Sequence, residues 1–366
     1  MAVIGRATLP EEFYDITSSM LLKQPEPQYL YAQMFKSALG ASLTVTGSLG
    51  VPGREVGGNG AAYASETADR LVLSAPISTE LFQAKVNFKG QMGHTMKFNR
   101  PAFTNSTATQ ASRKIAANTT ISTTPIAAGS EQNTLTLERY AGPYDTANSR
   151  VAPYAIESFD ASMGIHSLAS FVGTHMRRDF DRVLDKVWVD LFDSVGGGTI
   201  YPEGMSADND ATSAGMFPLT YEQISRVSRT MDDAFLPTLG DGRRLLVVTP
   251  TGKKQLKDDP QFARYVEFHK ELNPMFPGYF GSLPEFHLIQ NSTLTTTANS
   301  SSVNIHTAHA LAPGVAMGGM GRAPSVRYAS DDNYGETPKV IWLGDFAFGL
   351  ADNRFGYLVK YSQDNA

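Results

Sequence analysis

The chain has 366 residues, of which 42% are hydrophobic and 18% charged, and its 31 Lys+Arg against 36 Asp+Glu give a net charge of -5. That apolar content supports a packed core and excludes a disordered chain, while the mildly acidic balance lacks the basic stripe of a dedicated nucleic-acid binder. Cysteine is absent, which removes disulfides, cysteine-ligated zinc, iron–sulfur clusters and thiol catalysis, and fits assembly in a reducing compartment.

The length allows two or three domain-sized units or one large α/β body. Met1 to Leu22 carries Arg6, Glu11, Glu12 and Asp15 with no apolar stretch of signal-peptide type, and no run of apolar residues is long enough to span a membrane. Residues 1–75 predict an extended arm with short helical pieces, broken by Pro25, Pro27 and Pro52 and loosened by Gly53, Gly57, Gly58 and Gly60. Its aromatics, Phe13, Tyr14, Tyr29, Tyr31 and Phe35, require a surface to lie against, either on the same body or on a neighbouring chain.

Residues 94–99 and 134–140 alternate, with Met96 and Phe98, then Leu135 and Leu137, on one face, so each predicts a strand. Between them, 104–133 is rich in Ser, Thr, Asn and Ala, with Ile115, Ile121 and Ile126 its only large aliphatics. A connection of that length is uncommon inside a compact domain. It predicts a long β-hairpin with a polar, projecting tip, bordered or occupied by Arg100, Arg113 and Lys114. These basic residues read either as a solvated loop or as a docking surface for an acidic patch on another subunit.

A single long helix is expected over 159–195. Its stripe comprises Leu168, Val172, Met176, Phe180, Val183, Leu184, Val187, Trp188, Leu191 and Phe192, with Leu184, Trp188 and Leu191 as its core. Asp179, Asp181, Arg182, Asp185, Lys186 and Asp190 fill the other faces, and Gly196 to Gly198 end it. Beyond a polar loop, 219–235 predicts an amphipathic helix with Thr220 and Gln223 as a capping box. Arg244 to Val248 predicts a buried strand, 251–257 and 260–270 short helices, and 285–290 another strand. The last stretch, 340–361, predicts two strands joined at 351–353.

The motifs for chemistry fail on spacing. Gly252-Lys253 follows a strand, but Val247 stands where a phosphate loop needs glycine and Lys254 where it needs Ser or Thr. His306 and His309 lack a third ligand, and His166 and His175 fall on opposite faces of their helix. No Ser–His–Asp set or nucleophile elbow can be chosen. Catalytic, cofactor-binding and metal residues are therefore expected to be none.

The order of arm, hairpin, long helix, α/β unit and C-terminal sheet resembles the major capsid proteins of tailed bacteriophages, with the Hong Kong 97 type fold. Four stretches carry a further resemblance to the coat proteins of podophages similar to phage N-four: MKFNRPAF (96–103), TLTLERYAGP (134–143), NPMFPGYFGSLPEFHLIQNS (273–292) and WLGDFAFGLADNRFGYLVKY (342–361). The resemblance implies an α+β chain with an N-terminal arm (1–75), an extended β-hairpin loop (84–145), a spine helix (155–196), an axial domain (217–265) and a peripheral domain completed by 266–366. It implies a non-enzymatic shell subunit, assembled in the host cytoplasm into the virion capsid as hexamers and pentamers of itself, enclosing double-stranded DNA held only nonspecifically. A portal protein and a decoration protein are further expected partners. Because the chain starts close to the arm, scaffolding is expected as a separate protein. Contacts between subunits would fall on Lys97, Arg100, Arg113, Lys114, Phe13, Tyr29 and Tyr31. Lysine–asparagine cross-links occur in some such proteins, but no pattern here singles out a bond. An encapsulin-like compartment shell shares the fold and stands as the alternative, ahead of a soluble enzyme.

Overall fold

The computed structural model describes residues 29–46, 81–86, 95–101, 130–145, 150–155, 168–212, 215–269, 279–329 and 339–362. In chain order these form α1 (Leu30–Thr46), β1 (Phe82–Val86), β2 (Thr95–Pro101), β3 (Ser130–Thr136), β4 (Glu138–Gly142), β5 (Tyr144–Asp145), β6 (Arg150–Val151), β7 (Tyr154–Ala155) and α2 (Leu168–Phe192). Then follow β8 (Thr199–Ile200), α3 (Tyr221–Asp233), β9 (Arg244–Val248), α4 (Pro250–Asp258), α5 (Pro260–His269), β10 (Tyr279–Ser282), β11 (Phe286–Gln290) and β12 (Thr296–Ala298). The chain closes with β13 (Asn304–Leu311), β14 (Ala316–Ala329), β15 (Lys339–Leu350) and β16 (Gly356–Ser362).

Two large sheets result. One runs β1-β14-β15-β4, with β7 also on β15; the other runs β10-β11-β9-β13-β16-β8, with β12 on β13. All five residues of β9 are buried; the apolar run Leu245 to Val248 requires this in the middle of a covered sheet, and Arg244 is held by Asp232 and the Leu236 carbonyl. The expected boundary at 265/266 does not separate the sheets. Strands β10 to β13 and β16, all beyond that boundary, join β9, whereas β14 and β15 pair with strands from the first half of the chain. The two strands expected over 340–361 are β15 and β16, and they lie in different sheets. The turn at 353–355, capped by the Asp352 carboxylate accepting the Arg354 N–H, carries the chain from one sheet to the other.

Helix α2 is the element both sheets share. Residues 159–167 of its expected span lie outside the described residues, and the helix stops at Phe192, just before the glycine run. That run serves a close approach as well as a stop: a Cβ on Gly197 would sit 2.3 Å from the carbonyl oxygen of Gly356, and the Gly197 N–H donates to that same oxygen at 3.1 Å. Trp188 and Leu184 are buried, and Leu191 is half-buried against the same core. Trp188 sits edge-on to Phe82 at 4.8 Å and Phe348 at 5.3 Å, tilted against Phe35 at 5.4 Å and stacked on Phe192 at 5.7 Å.

Phe35 in that group belongs to α1, which falls within the expected arm, and of the two surfaces open to its aromatics it takes its own body. Residues 30–46 are one 17-residue helix, and Leu30, Tyr31, Met34, Phe35, Ala38 and Leu39 are core residues. Tyr31, expected at a contact between subunits, is 0% exposed within its own chain; Tyr29 is half-buried against the same core. Gly318 on β14 makes room for the helix, since a Cβ there would lie 2.4 Å from the Phe35 ring.

Local caps follow the sequence in part. Thr220 accepts the Gln223 N–H at 3.3 Å, but the Gln223 side chain does not return to close the box; it donates to the Lys360 carbonyl at 2.9 Å and ties α3 to β16. Gly252-Lys253 lies inside α4, capped by Thr249, with Lys253 donating to Gln290 at 2.9 Å.

Replacing Trp188 with alanine empties the centre of the aromatic group, and should destabilise the fold by about 3–5 kcal/mol. Thermal melting and soluble yield read this directly; an unchanged melting temperature would mean that the indole is not in the core.

Candidate functional site

The densest polar construction in the described residues is built on α2. Asp181 and Asp185, expected on the faces away from the apolar stripe, are 1% and 0% exposed. At 3.6 residues per turn they fall in the same stripe as Leu184, Trp188 and Phe192, and each receives donors from another element. Asp185 Oδ1 accepts the Tyr31 N–H at 2.7 Å and the Ala32 N–H at 3.3 Å. These are unpaired amides of the first turn of α1, so a carboxylate from one helix caps the N-terminus of another, where the helix dipole also favours negative charge. Its other oxygen accepts from Asn291 Nδ2 at 3.3 Å and from the Thr293 hydroxyl. Burial raises the Asp185 pKa, and these four donors oppose the rise.

One turn earlier, Asp181 forms an ion pair with Lys36 of α1, and Arg177 Nε stands 3.9 Å from its second oxygen. Burial lowers the Lys36 pKa to about 8 against the pull of Asp181, and its ammonium lies 4.8 Å from the Phe180 ring centroid. Beyond the end of α2, Asp193 accepts from His309 Nε2 at 2.8 Å and from the Thr295 hydroxyl, while His309 Nδ1 meets the Tyr31 hydroxyl at 2.7 Å. Burial works to raise the Asp193 pKa, but the hydrogen bond and charge of His309, with help from Thr295 and Lys186, hold it below the usual carboxylate value. Midway along the helix, Asp179 accepts the Trp342 indole N–H at 2.8 Å.

The Asp193–His309–Tyr31 chain has the connectivity of a proton relay, but His309 and Tyr31 are both 0% exposed. No substrate atom reaches them, and burial drives the Tyr31 pKa well above that of a free phenol. The arrangement holds α1, α2 and β13 together and has no opening for catalysis. Among the described residues no group of three or more His, Asp or Glu is placed to hold a metal, and no helix is long and apolar enough to cross a membrane. Sequence reasoning missed Lys36, Asp181, Asp185, Asp193 and His309 as a set. The available signal was two carboxylates at apolar-stripe positions.

The other candidate feature is the ribbon of β2 and β3. The two strands pair in antiparallel register from Thr95↔Thr136 to Pro101↔Ser130 and belong to neither large sheet. The root is fixed to the body: Leu135 packs with Met317, Ala347 and Ala351, and Asn133 Nδ2 donates to the Ala351 carbonyl at 2.7 Å. Lys97 pairs with Thr134 and Arg100 with Glu131 along the strands. Arg113, Lys114 and the expected tip lie outside the described residues, as does Phe13.

No family model and no curated protein matches the sequence. Solved structures match the fold. A chain of the capsid of Ralstonia phage GP4 matches with a TM-score of 0.58 at 12% identity, over 78% of this chain and 88% of that one. One from the capsid of the cyanophage Pam1 has a TM-score of 0.53 at 11% identity, covering 78% and 89%. A third, from the capsid of the cyanophage P-SCSP1u, has a TM-score of 0.51 at 11% identity, covering 78% and 87%. The chain is a mixed α/β protein with the Hong Kong 97 type fold of phage capsid proteins.

Exchanging Asp185 for asparagine turns one acceptor oxygen into a donor facing donors; the loss should be about 2–3 kcal/mol, read by melting, with faster proteolysis within α1. For Asp193 the sign follows from its lowered pKa. Its stabilising contribution is present above the ordinary value of 3.8 and disappears as pH falls through the lower folded value. The stability gap between the unaltered chain and Asp193→Asn should therefore be full at neutral pH and close in acid below that value; a gap that widens in acid would contradict the assignment.

Proposed function

We propose that this chain is the major capsid protein of a tailed phage, the repeating subunit of an icosahedral shell around packaged DNA. The observation that carries the reading is the match of fold over 78% of the chain to chains from phage capsids. A ribbon that leaves the body from a fixed root supports it, because a self-contained subunit has no need of one. The five-stranded sheet with α1 and α2 corresponds to a peripheral domain, and the seven-stranded sheet with α3, α4 and α5 to an axial domain. The four stretches quoted above support a place among the N-four-like podophage coat proteins.

The partners that accompany the reading are many copies of the same chain in hexamers and pentamers, a separate scaffolding protein, a portal and a possible decoration protein. The net charge of -5 supports only nonspecific contact with packaged DNA, since phosphate affinity comes from Lys and Arg. Assembly would take place in the host cytoplasm, with the virion capsid as the final location.

The test removes the reach and keeps the body. Replacing residues 102–129 by an Asn-Gly turn joins Pro101 to Ser130 in a register that a two-residue hairpin closes. The helical circular-dichroism signal should persist, because α1 to α5 all lie outside the deletion. Sedimentation should show that shell assembly fails or yields fragile, aberrant particles. Normal shells would refute the extended-loop assignment, and a variant unable to fold would place the segment in the core.

A further inference from the structure

Three large apolar side chains are exposed among the described residues, and one of them is held in a backbone conformation unfavourable to it. Phe235 follows α3, is 68% exposed and has φ 54°. Its N–H donates to the Asp232 carbonyl at 2.8 Å, and the Leu236 N–H reaches back to Met231 at 3.1 Å. This crossed pair ends helices on a left-handed residue, a place that glycine usually fills because a Cβ there crowds the next carbonyl. A bulky residue at positive φ is an outlier that points toward function. The ring recovers little by burial within its own subunit.

The last turn of α3 breaks a second local rule. It carries Asp232 and Asp233 and no basic residue, although a helix C-terminus favours cations. Arg244 Nη1 answers Asp232 at 2.7 Å, but among the described residues Asp233 has only an exposed partner, Arg229, at 3.8 Å. One and two turns back, the same exposed face presents Arg229 and Arg226. Exposed pairs of this kind contribute little, so their charges can be exchanged for those of a neighbour. Along this face Glu222 stands in the first turn, and Arg226 and Arg229 follow in the middle, with Glu203 4.0 Å from Arg226. Asp233 lies at the end, so the acidic C-terminal end of one helix complements the basic middle of a second copy set head to tail.

We propose that Phe235 is an anchor between subunits. Its ring seats on a second copy of this chain, with the acidic end of one α3 against Arg226 and Arg229 of the next. This rests on the shell reading above and names a contact within it.

Glycine suits the backbone at this position, so Phe235→Gly separates packing from contact. Thermal melting of the dissociated full chain should rise by about 2 °C. Sedimentation over a concentration series, with a crowding polymer to drive assembly, should require roughly tenfold or more protein for half-association. Phe235→Tyr, which keeps the ring, should associate like the unaltered chain. Unchanged association of Phe235→Gly would overturn the anchor and leave the shell reading standing. A lower melting temperature with a proportionate loss of association would make Phe235 a structural residue, and also overturn it. If the unaltered chain forms no larger species at any concentration, both the anchor and the shell reading fall.

Discussion

A buried carboxylate at the start of a helix organises this molecule. Asp185 is 0% exposed, and an unpaired charge at such a depth would cost several kcal/mol. It is tolerated because two amides from α1, an amide from Asn291 and a hydroxyl from Thr293 converge on it. The same contact removes two unpaired amides from α1, which lies far away in sequence. With α1 held there, Lys36 reaches Asp181 and Phe35 enters the aromatic group around Trp188. Each of these groups therefore needs the others in place.

Helix α2 turns that local contact into a body. Asp179 binds Trp342 on β15 of the five-stranded sheet, and Asp193 binds His309 on β13 of the seven-stranded sheet. Because β15 and β16 are consecutive in the chain yet sit in different sheets, the two layers are also joined covalently at one end of α2. Most of the described core residues consequently form one continuous cluster. The β2–β3 ribbon is fixed to this centre by Leu135 and Asn133.

Much of this was legible in the residues. The apolar stripe of α2, the uninterrupted run of β9 and the alternation of β2 and β3 each reflect a local period. The α1 helix reads only as one of the short helical pieces of an arm, although Leu30, Tyr31, Met34, Phe35, Ala38 and Leu39 are spaced for one helical face; the prolines before it and the glycines after it point to an arm. Tyr31, read from that arm as a contact between subunits, is buried within its own chain. Asp181 and Asp185 read as lying off the apolar stripe because charge usually means exposure, and only a distant partner such as Lys36 or the α1 amides reverses that rule. The division of the sheets was equally illegible, since the pairing of β9 with β11, β13 and, through it, β16 is long-range information.

In the proposed shell the repeating unit is a rigid two-sheet body with its first helix locked into the core. Electron microscopy of particles formed by the purified, unaltered chain tests this most directly. Closed shells of uniform curvature are expected, with α1 buried inside each subunit and the ribbon extended over a neighbour. A discrete small oligomer at every concentration, with no curved assemblies, would contradict it.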